Sequence, residues 1–288
     1  MASAGDRLRA AWQQGPLMVP GVYNALVARL AEEAGFPAVY LSGAALSASY
    51  ALPDVGLVTQ TEFVNAAATI VEATKLPLLS DADTGFGEAL SVERTVRLFE
   101  KAGVAGIHLE DQELPKRCGH LSGKALVSQD AMCAKLRAAV AARRDPGFVI
   151  IARTDARGVT SFEDAVQRAH AYLQAGADMI FVEALQSAEE FAAFAQRVKA
   201  PLLANMTEFG KSELIDFTDL ARMGYHIVIY PVTFFRIALQ ATKLALQQLK
   251  RDGHQRNLLP QMLTRQELYD LLGYTGYEAR DKAYFANT

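Results

Sequence analysis

Eight short apolar runs, each followed by a longer amphipathic stretch, pace the chain from Leu17 onward, and this alternation restricts the fold more than any single motif. The runs predict strands at residues 17–22, 38–41, 76–81, 106–110, 148–153, 179–183, 201–205 and 226–230. The stretches between them predict helices at 25–33, 62–73, 91–102, 129–142, 162–175 and 188–198. Gly35, Gly103 and Gly176 stand just past three of these helices, where a left-handed residue closes the last turn. Eight βα units predict an α/β fold of the (β/α)8 TIM-barrel type. No Gly-x-Gly-x-x-Gly follows the first strand, which argues against a dinucleotide-binding sheet. Beyond the eighth strand lie a long predicted helix at 234–250, a polar link at 252–257 and another helix at 265–272. The expectation is one domain over 1–288, with the barrel in 17–232 and its last helix plus a C-terminal helical arm in 233–288.

At 288 residues, 51% hydrophobic and 21% charged, the composition is that of an ordinary globular protein able to bury one large core. A formal net charge of −3 offers no basic surface for nucleic acid. No segment approaches the roughly 18 consecutive apolar residues of a membrane span, and residues 1–14 lack the apolar core of a signal peptide. Two cysteines in dissimilar surroundings make no disulfide framework. The expected setting is the cytoplasm, with neither nucleic acid nor membrane as partner.

Polar residues gather where the strands end. The successive ends read Tyr40-Leu41-Ser42-Gly43, Asp81-Ala82-Asp83-Thr84-Gly85, His108-Leu109-Glu110-Asp111, Arg153-Thr154-Asp155, Glu183-Ala184 and Asn205-Met206-Thr207-Glu208. Barrel enzymes place their reacting groups at that rim. Asp81 and Asp83 are two apart, on one side of an extended strand. They form either a site for a hard cation such as magnesium or manganese or a pair of acids on a solvated turn. Glu110 and Asp54 are candidates to hold metal-bound waters. Arg153 leaves an apolar strand, so it either bridges to Glu183 or another rim acid or grips an anionic substrate. Arg236 and Arg265 are second grips or surface charges. His108, inside a strand, reads as a hydrogen-bonded core residue.

The loop Leu114-Pro115-Lys116-Arg117-Cys118-Gly119-His120 carries the candidate reagent. Cys118 is either a small buried hydrophobe or, with Lys116, Arg117 and His120 beside it, a thiol whose pKa falls toward the working pH. His120 is its ring partner or a plain loop residue. Cys133, in a helical pattern, reads as core.

Taken together, Lys116-Arg117-Cys118-Gly119-His120, Asp81-Ala82-Asp83-Thr84-Gly85-Phe86-Gly87, Ala152-Arg153-Thr154-Asp155-Ala156 and Asn205-Met206-Thr207-Glu208-Phe209-Gly210 resemble the isocitrate lyase and phosphoenolpyruvate mutase superfamily. The cysteine loop places the resemblance on its lyase branch, and it extends from Val19 to the segment around Arg265. Leu121-Ser122-Gly123-Lys124 departs from the Arg-Pro common after that loop, and Ala44 stands where a second glycine is common. The resemblance implies a magnesium-dependent cleavage of 2-methylisocitrate to pyruvate and succinate, a reaction of propionate catabolism in the methylcitrate cycle. Related acids, isocitrate or 2,3-dimethylmalate, are the alternative substrates, and a non-catalytic dicarboxylate-binding barrel is the alternative role. It further implies Ser42, Gly43 and Ala44 at the pyruvate half, and Asp81 and Asp83 at the metal. Cys118, Gly119, Arg153, Glu183, Asn205, Met206, Thr207, Arg236 and Arg265 would contact substrate. Cys118 is then the acid that protonates the succinate carbanion, and Tyr40 is the candidate base for the hydroxyl. A homotetramer in which the C-terminal arm is exchanged between subunits is implied as well.

Overall fold

Eight strands pair in chain order and close on themselves in a computed structural model that describes residues 2–286. They are β1 (Leu17–Val22), β2 (Val39–Leu41), β3 (Leu78–Asp81), β4 (Gly106–Glu110), β5 (Val149–Thr154), β6 (Met179–Val182), β7 (Leu202–Asn205) and β8 (Ile227–Tyr230). Every pairing is parallel, including β1 with β8, so the expected (β/α)8 barrel is the observed one. The helices are α1 (Ala4–Gln14), α2 (Ala25–Glu33), α3 (Gly43–Ser49), α4 (Gln60–Ala73), α5 (Ala89–Lys101), α6 (Gln129–Ala142), α7 (Ala156–Val159), α8 (Phe162–Gln174), α9 (Ala188–Arg197), α10 (Phe217–Met223), α11 (Thr233–Asp252), α12 (Arg265–Leu272) and α13 (Tyr274–Phe285). Gly35, Gly103 and Gly176 have φ of 80°, 81° and 103°, the left-handed closure their positions predict.

Strand alternation sorts the core into two layers. Val39, Leu41, Leu78, Ile107, Leu109, Ile150, Ala152, Ile180, Val182, Leu202, Ala204 and Val228 face out and pack with the helices. Leu17, Val19, Tyr40, Leu79, Val149, Ile151, Met179, Phe181, Leu203, Ile227 and Ile229 face in and fill the barrel. Leu8 and Trp12 of α1 belong to this inner cluster, so α1 stoppers the barrel at the strands' N-terminal end. Ser3 and Asp6 form a capping box that starts α1, and Arg9 ties it down through Gly147 O at 2.8 Å and Asp178 at 2.9 Å.

Residues 1–235 and 236–288 form two compact units. Within the second unit, α12 starts with a capping box, Thr264 with Glu267, and neither α12 nor α13 has a buried residue. No helix among the described residues is long and apolar enough to cross a membrane.

Candidate active site

In six of the eight strands the inward row turns polar at or just past the strand end. Two residues beyond inward Tyr40, Leu79, His108, Ile151, Phe181 and Leu203 come Ser42, Asp81, Glu110, Arg153, Glu183 and Asn205, all buried. Register aligns them across the rim: Asp81 sits opposite His108, and Glu110 opposite Arg153. A period-two chain thus delivers acids, an amide and a guanidinium into one mouth.

Asp81 and Asp83 converge by a route that alternation did not foresee. The strand ends at Asp81, and Asp83 adopts φ 45°, so a turn rather than the pleat brings the two together. Asp83 N–H donates to Asp81 Oδ1 at 2.9 Å, and Gly43 N–H donates to Asp81 Oδ2 at 3.1 Å. A β-carbon on Gly43 would stand 2.7 Å from Asp81 Oδ2, which is why the helix start there has no side chain. Lys116 Nζ pairs with Asp83 Oδ1 at 2.8 Å and also with Asp54. Burial, with Asp81 and Asp54 adding to it against Lys116, pushes the Asp83 carboxyl up to about 7. Burial likewise pushes Glu110 well above the ordinary carboxylate range, and both its oxygens lack a hydrogen-bond partner.

Three buried carboxylates, with the Lys116 ammonium at Asp83 and the Arg153 guanidinium 3.4 Å from Glu110, make a pocket whose donors are all oxygen. Among the described residues no three or more His, Cys, Asp or Glu side chains form a ready-made metal cage. Magnesium does not require one, because it keeps several waters and takes one or two carboxylates. The residues fit such a cation.

Arg153 is the hub of the opposite side. Its Nε donates to Asp155 Oδ2 at 2.9 Å and its Nη2 to Asp155 Oδ1 at 3.2 Å. Nη2 also lies 3.2 Å from Glu183 Oε2, and Nε 3.4 Å from Glu110. Phe181 lies under the guanidinium at 5.1 Å, a cation–π contact on one face of the planar fork. Asn205 Nδ2 reaches Glu183 at 3.3 Å, leaving its buried Oδ1 without a partner. Ala184, at φ 60°, folds its N–H back onto Glu183 Oε1 at 3.0 Å. Left-handed alanine costs about 1 kcal/mol, a strain the fold carries at its rim.

The cysteine loop lies directly on this hub. A β-carbon on Gly119 would stand 2.5 Å from Glu183 Cγ and would overlap the Arg153 guanidinium. The His120 ring does not pair with Cys118, which takes only the His120 backbone N–H: the ring Nε2 lies 3.0 Å from Glu183 Oε1, and Nδ1 accepts from Lys211 N–H at 2.9 Å. An accepting Nδ1 turns Nε2 toward Glu183. Lys116 and Arg117 do not supply the expected positive field around Cys118; the His120 backbone N–H and the Arg153 guanidinium favour its thiolate instead, but less than burial opposes it. Lys116 is spent on Asp54 and Asp83, and exposed Arg117 turns toward Ser122 O at 3.4 Å. Burial then dominates and pushes the Cys118 thiol up, Asp54 and Glu183 adding to it. The thiol is a weaker acid than the sequence predicts, and it stays protonated at neutral pH. Cys133 is buried in the helical core, as expected.

Tyr40 is fully buried and its hydroxyl lies 2.7 Å from His108 Nε2. Burial, reinforced by Asp81, raises its pKa well above the ordinary phenol, so it is held as the phenol and is not the ready base expected. His108 is the buried core histidine of the sequence reading, pushed down to about 4 by burial and hence neutral.

Ser42 caps α3, its Oγ accepting from Ala45 N–H at 3.4 Å, and Ala44 follows on the first turn. Met206 Sδ accepts from Ile215 N–H at 3.3 Å, and Thr207 is buried beside it. Arg236 on α11 and Arg265 at the start of α12 belong to the second unit. Asp155 and Lys124, which pair at 2.6 Å, were not singled out by sequence. Asp155 at a strand end was a visible signal, whereas Lys124 had none beyond its place in the cysteine loop.

A family model for phosphoenolpyruvate phosphomutase matches residues 8–250. A curated 2-methylisocitrate lyase of Aeropyrum pernix is 56% identical over 265 residues, 92% of this chain and 85% of the relative. A crystal structure of 2,3-dimethylmalate lyase, a member of the PEP mutase/isocitrate lyase superfamily, superposes with a TM-score of 0.92 at 37% identity, covering 99% of this chain and 96% of that one. A phosphonopyruvate hydrolase in complex with oxalate and Mg++ superposes at 0.90 and 33% identity, covering 99% and 100%. With its barrel, its acidic rim and its thiol loop, the chain belongs to the phosphoenolpyruvate phosphomutase family, where it stands with the 2-methylisocitrate lyases.

Proposed function

We propose that the protein is a magnesium-dependent carbon–carbon lyase that cleaves 2-methylisocitrate into pyruvate and succinate, a step of propionate catabolism in the methylcitrate cycle. One observation carries the reading: the Cys118 loop is seated on the Arg153–Glu183 pair at the same mouth that holds Asp81, Asp83 and Glu110. The 56% identity to a curated 2-methylisocitrate lyase supports the choice of acid.

Asp81 and Asp83 would hold magnesium, or manganese in its place, with Glu110 and Asp54 holding its waters. The cation, when bound, supplies positive charge to the 2-hydroxy acid end and to the forming carbonyl. Arg153 offers its fork to a substrate carboxylate, and Asp155 and Glu183 keep that fork oriented. Ser42, Gly43 and Ala44 take the pyruvate half. Gly119 lets the loop approach, and Asn205, Met206 and Thr207 line the remainder. Arg236 and Arg265 stay in the binding set on the resemblance alone.

The hydroxyl proton passes to Tyr40 Oη as Tyr40 hands its own to His108 Nε2, so no free tyrosinate is needed. Cleavage leaves the bonding pair on a carbon of the succinate half. Cys118 gives that carbon its thiol proton and becomes the thiolate. Burial keeps the thiol loaded until then.

The assembly in this proposal is a cytoplasmic homotetramer with exchanged C-terminal arms. Leu246, Tyr277 and Tyr284 are 62%, 62% and 73% exposed on the second unit's own helices, apolar surface of the kind a neighbouring subunit covers. Sedimentation equilibrium tests it, and a monomer would refute it.

The reaction is tested by offering the purified protein 2-methylisocitrate, isocitrate and 2,3-dimethylmalate with magnesium. Pyruvate and succinate from the first, at a kcat/KM at least about tenfold above the others, is the expected result. Preference for another acid, binding without product, or full activity in excess chelator would overturn the proposal.

A further inference from the structure

Lys124 closes the connection that carries Cys118, and the chemistry above makes no use of it. Its side chain is 1% exposed. Burying an ammonium is costly unless its hydrogen bonds are replaced, and here two partners replace them. Nζ donates to the carbonyl of Gly119, the residue next to the thiol, and to Asp155 Oδ1 at 2.6 Å. Asp155 is itself 0% exposed and held by Arg153. One ammonium thus joins the loop's backbone to the barrel's central charge pair.

The rest of the connection explains why this tie matters. Glu113 N–H donates to Ala125 O at 2.9 Å and Val127 N–H to Asp111 O at 3.0 Å, which fix the base of the loop. Gln112 braces the near limb through Arg117 N–H and Arg117 O, both at 2.9 Å. Between Cys118 and Lys124 the one backbone–backbone hydrogen bond is Leu121 N–H to Cys118 O, at 2.9 Å, and the His120 ring adds contacts to Lys211 N–H and Glu183. The height of the thiol above the rim therefore depends on side-chain ties, and Lys124 holds the carbonyl adjacent to it.

We propose that Lys124 is a positioning residue, the latch that holds the cysteine loop shut with Cys118 over the Arg153–Glu183 pair. The latch deepens the proposed function and rests on it for the acid role of Cys118. Removing Lys124 leaves Asp155 paired with Arg153, so no buried charge is abandoned and the barrel should keep its fold.

The test compares wild type with Lys124→Met, Lys124→Gln and Lys124→Arg, as full chains with magnesium. Alkylation of Cys118 by iodoacetamide is followed by peptide mass spectrometry, with Cys133 as internal control, and kcat and KM are measured with 2-methylisocitrate. Lys124→Met and Lys124→Gln are expected to alkylate at Cys118 about 10- to 100-fold faster and to lose kcat by a similar factor, with KM moving far less. Lys124→Arg should recover part of the protection. Unchanged alkylation of Cys118 in a folded Met or Gln variant would overturn the latch. Alkylation needs no substrate, so a wild type that cleaves none of the offered acids would sink the proposed reaction while the alkylation rates still decide the latch.

Discussion

Replacing Gly119 with alanine tests whether the closed loop is the reacting state. Gly119 is not in the left-handed region, so alanine meets no backbone penalty and space alone decides. Its β-carbon would come within 2.5 Å of Glu183 Cγ and 2.7 Å of Glu183 Cδ, besides striking the Arg153 guanidinium. Neither side chain can retreat freely. Arg153 is pinned by Asp155, and Glu183 by Arg153, His120 and Asn205. Overpacking of this kind costs about 1–3 kcal/mol. The loop beside Gly119 is held by side-chain ties, Lys124 to Gly119 O and the His120 ring to Lys211 N–H and Glu183, so it should rise at their expense and leave the Arg153–Asp155 pair in place. If the whole cost falls on closure, the closed fraction drops about 5- to 150-fold, at 1.36 kcal/mol per factor of ten. Pyruvate release, coupled to lactate dehydrogenase, should show kcat reduced by that factor. Cys118 should alkylate faster, and the melting temperature should hardly move, because the disturbance is local. A Gly119→Ala enzyme within twofold of wild-type kcat would refute the reasoning.

Cys118→Ser should bind 2-methylisocitrate within a few-fold of wild type and lose about 10²- to 10⁴-fold in kcat, and wild-type turnover would remove the thiol from the proton path. Because burial raises the Cys118 pKa, folding favours the thiol. That preference is complete below the ordinary thiol range and is lost as pH rises through the elevated folded value. The pH profile of Cys118 alkylation should accordingly have its midpoint above that of a free thiol, and a midpoint at or below it would contradict the assignment. Asp111 accepts from Thr154 Oγ1 and Tyr172 Oη, both at 2.8 Å, and from Arg168 at 3.2 Å. Asp111→Ala strands these buried donors and should cost about 3 kcal/mol in urea unfolding; a loss under about 1 kcal/mol would show that the cluster is not structural.

The barrel was legible because its signal is periodic. β1, β4, α2, α6 and α12 have the limits their sequence patterns predict, and the other strands shift by a residue or two. Three helices without a predicted range, α3, α7 and α10, have 7, 4 and 7 residues, too few turns for an apolar stripe to repeat. The 12-residue α13 fell inside the expected C-terminal arm without limits of its own because it buries no face. α1 did leave a trace, Ser3 and Asp6 at capping-box spacing before Leu8 and Trp12, but it precedes the first βα unit. Ser42, Asp81, Glu110, Arg153, Glu183 and Asn205 were legible as strand-end residues because the apolar runs stop there. Their charges were not, because sequence adjacency counts charges without counting partners. Lys116 stands two residues from Cys118, yet its partner Asp54 lies 62 positions away, so the field it seems to offer is cancelled across the fold. Asp83 fell beyond its strand's end, where alternation no longer applies.

Helix α1 shuts one end of the barrel. With Leu8 and Trp12 filling the floor, Arg153 and Asp81 are approached from the rim, where the segment that carries Cys118 lies. Products made there have the rim as their passage as well. Traffic through that passage, and the frequency with which its cover lifts, then sets a ceiling on turnover however fast the bond is broken.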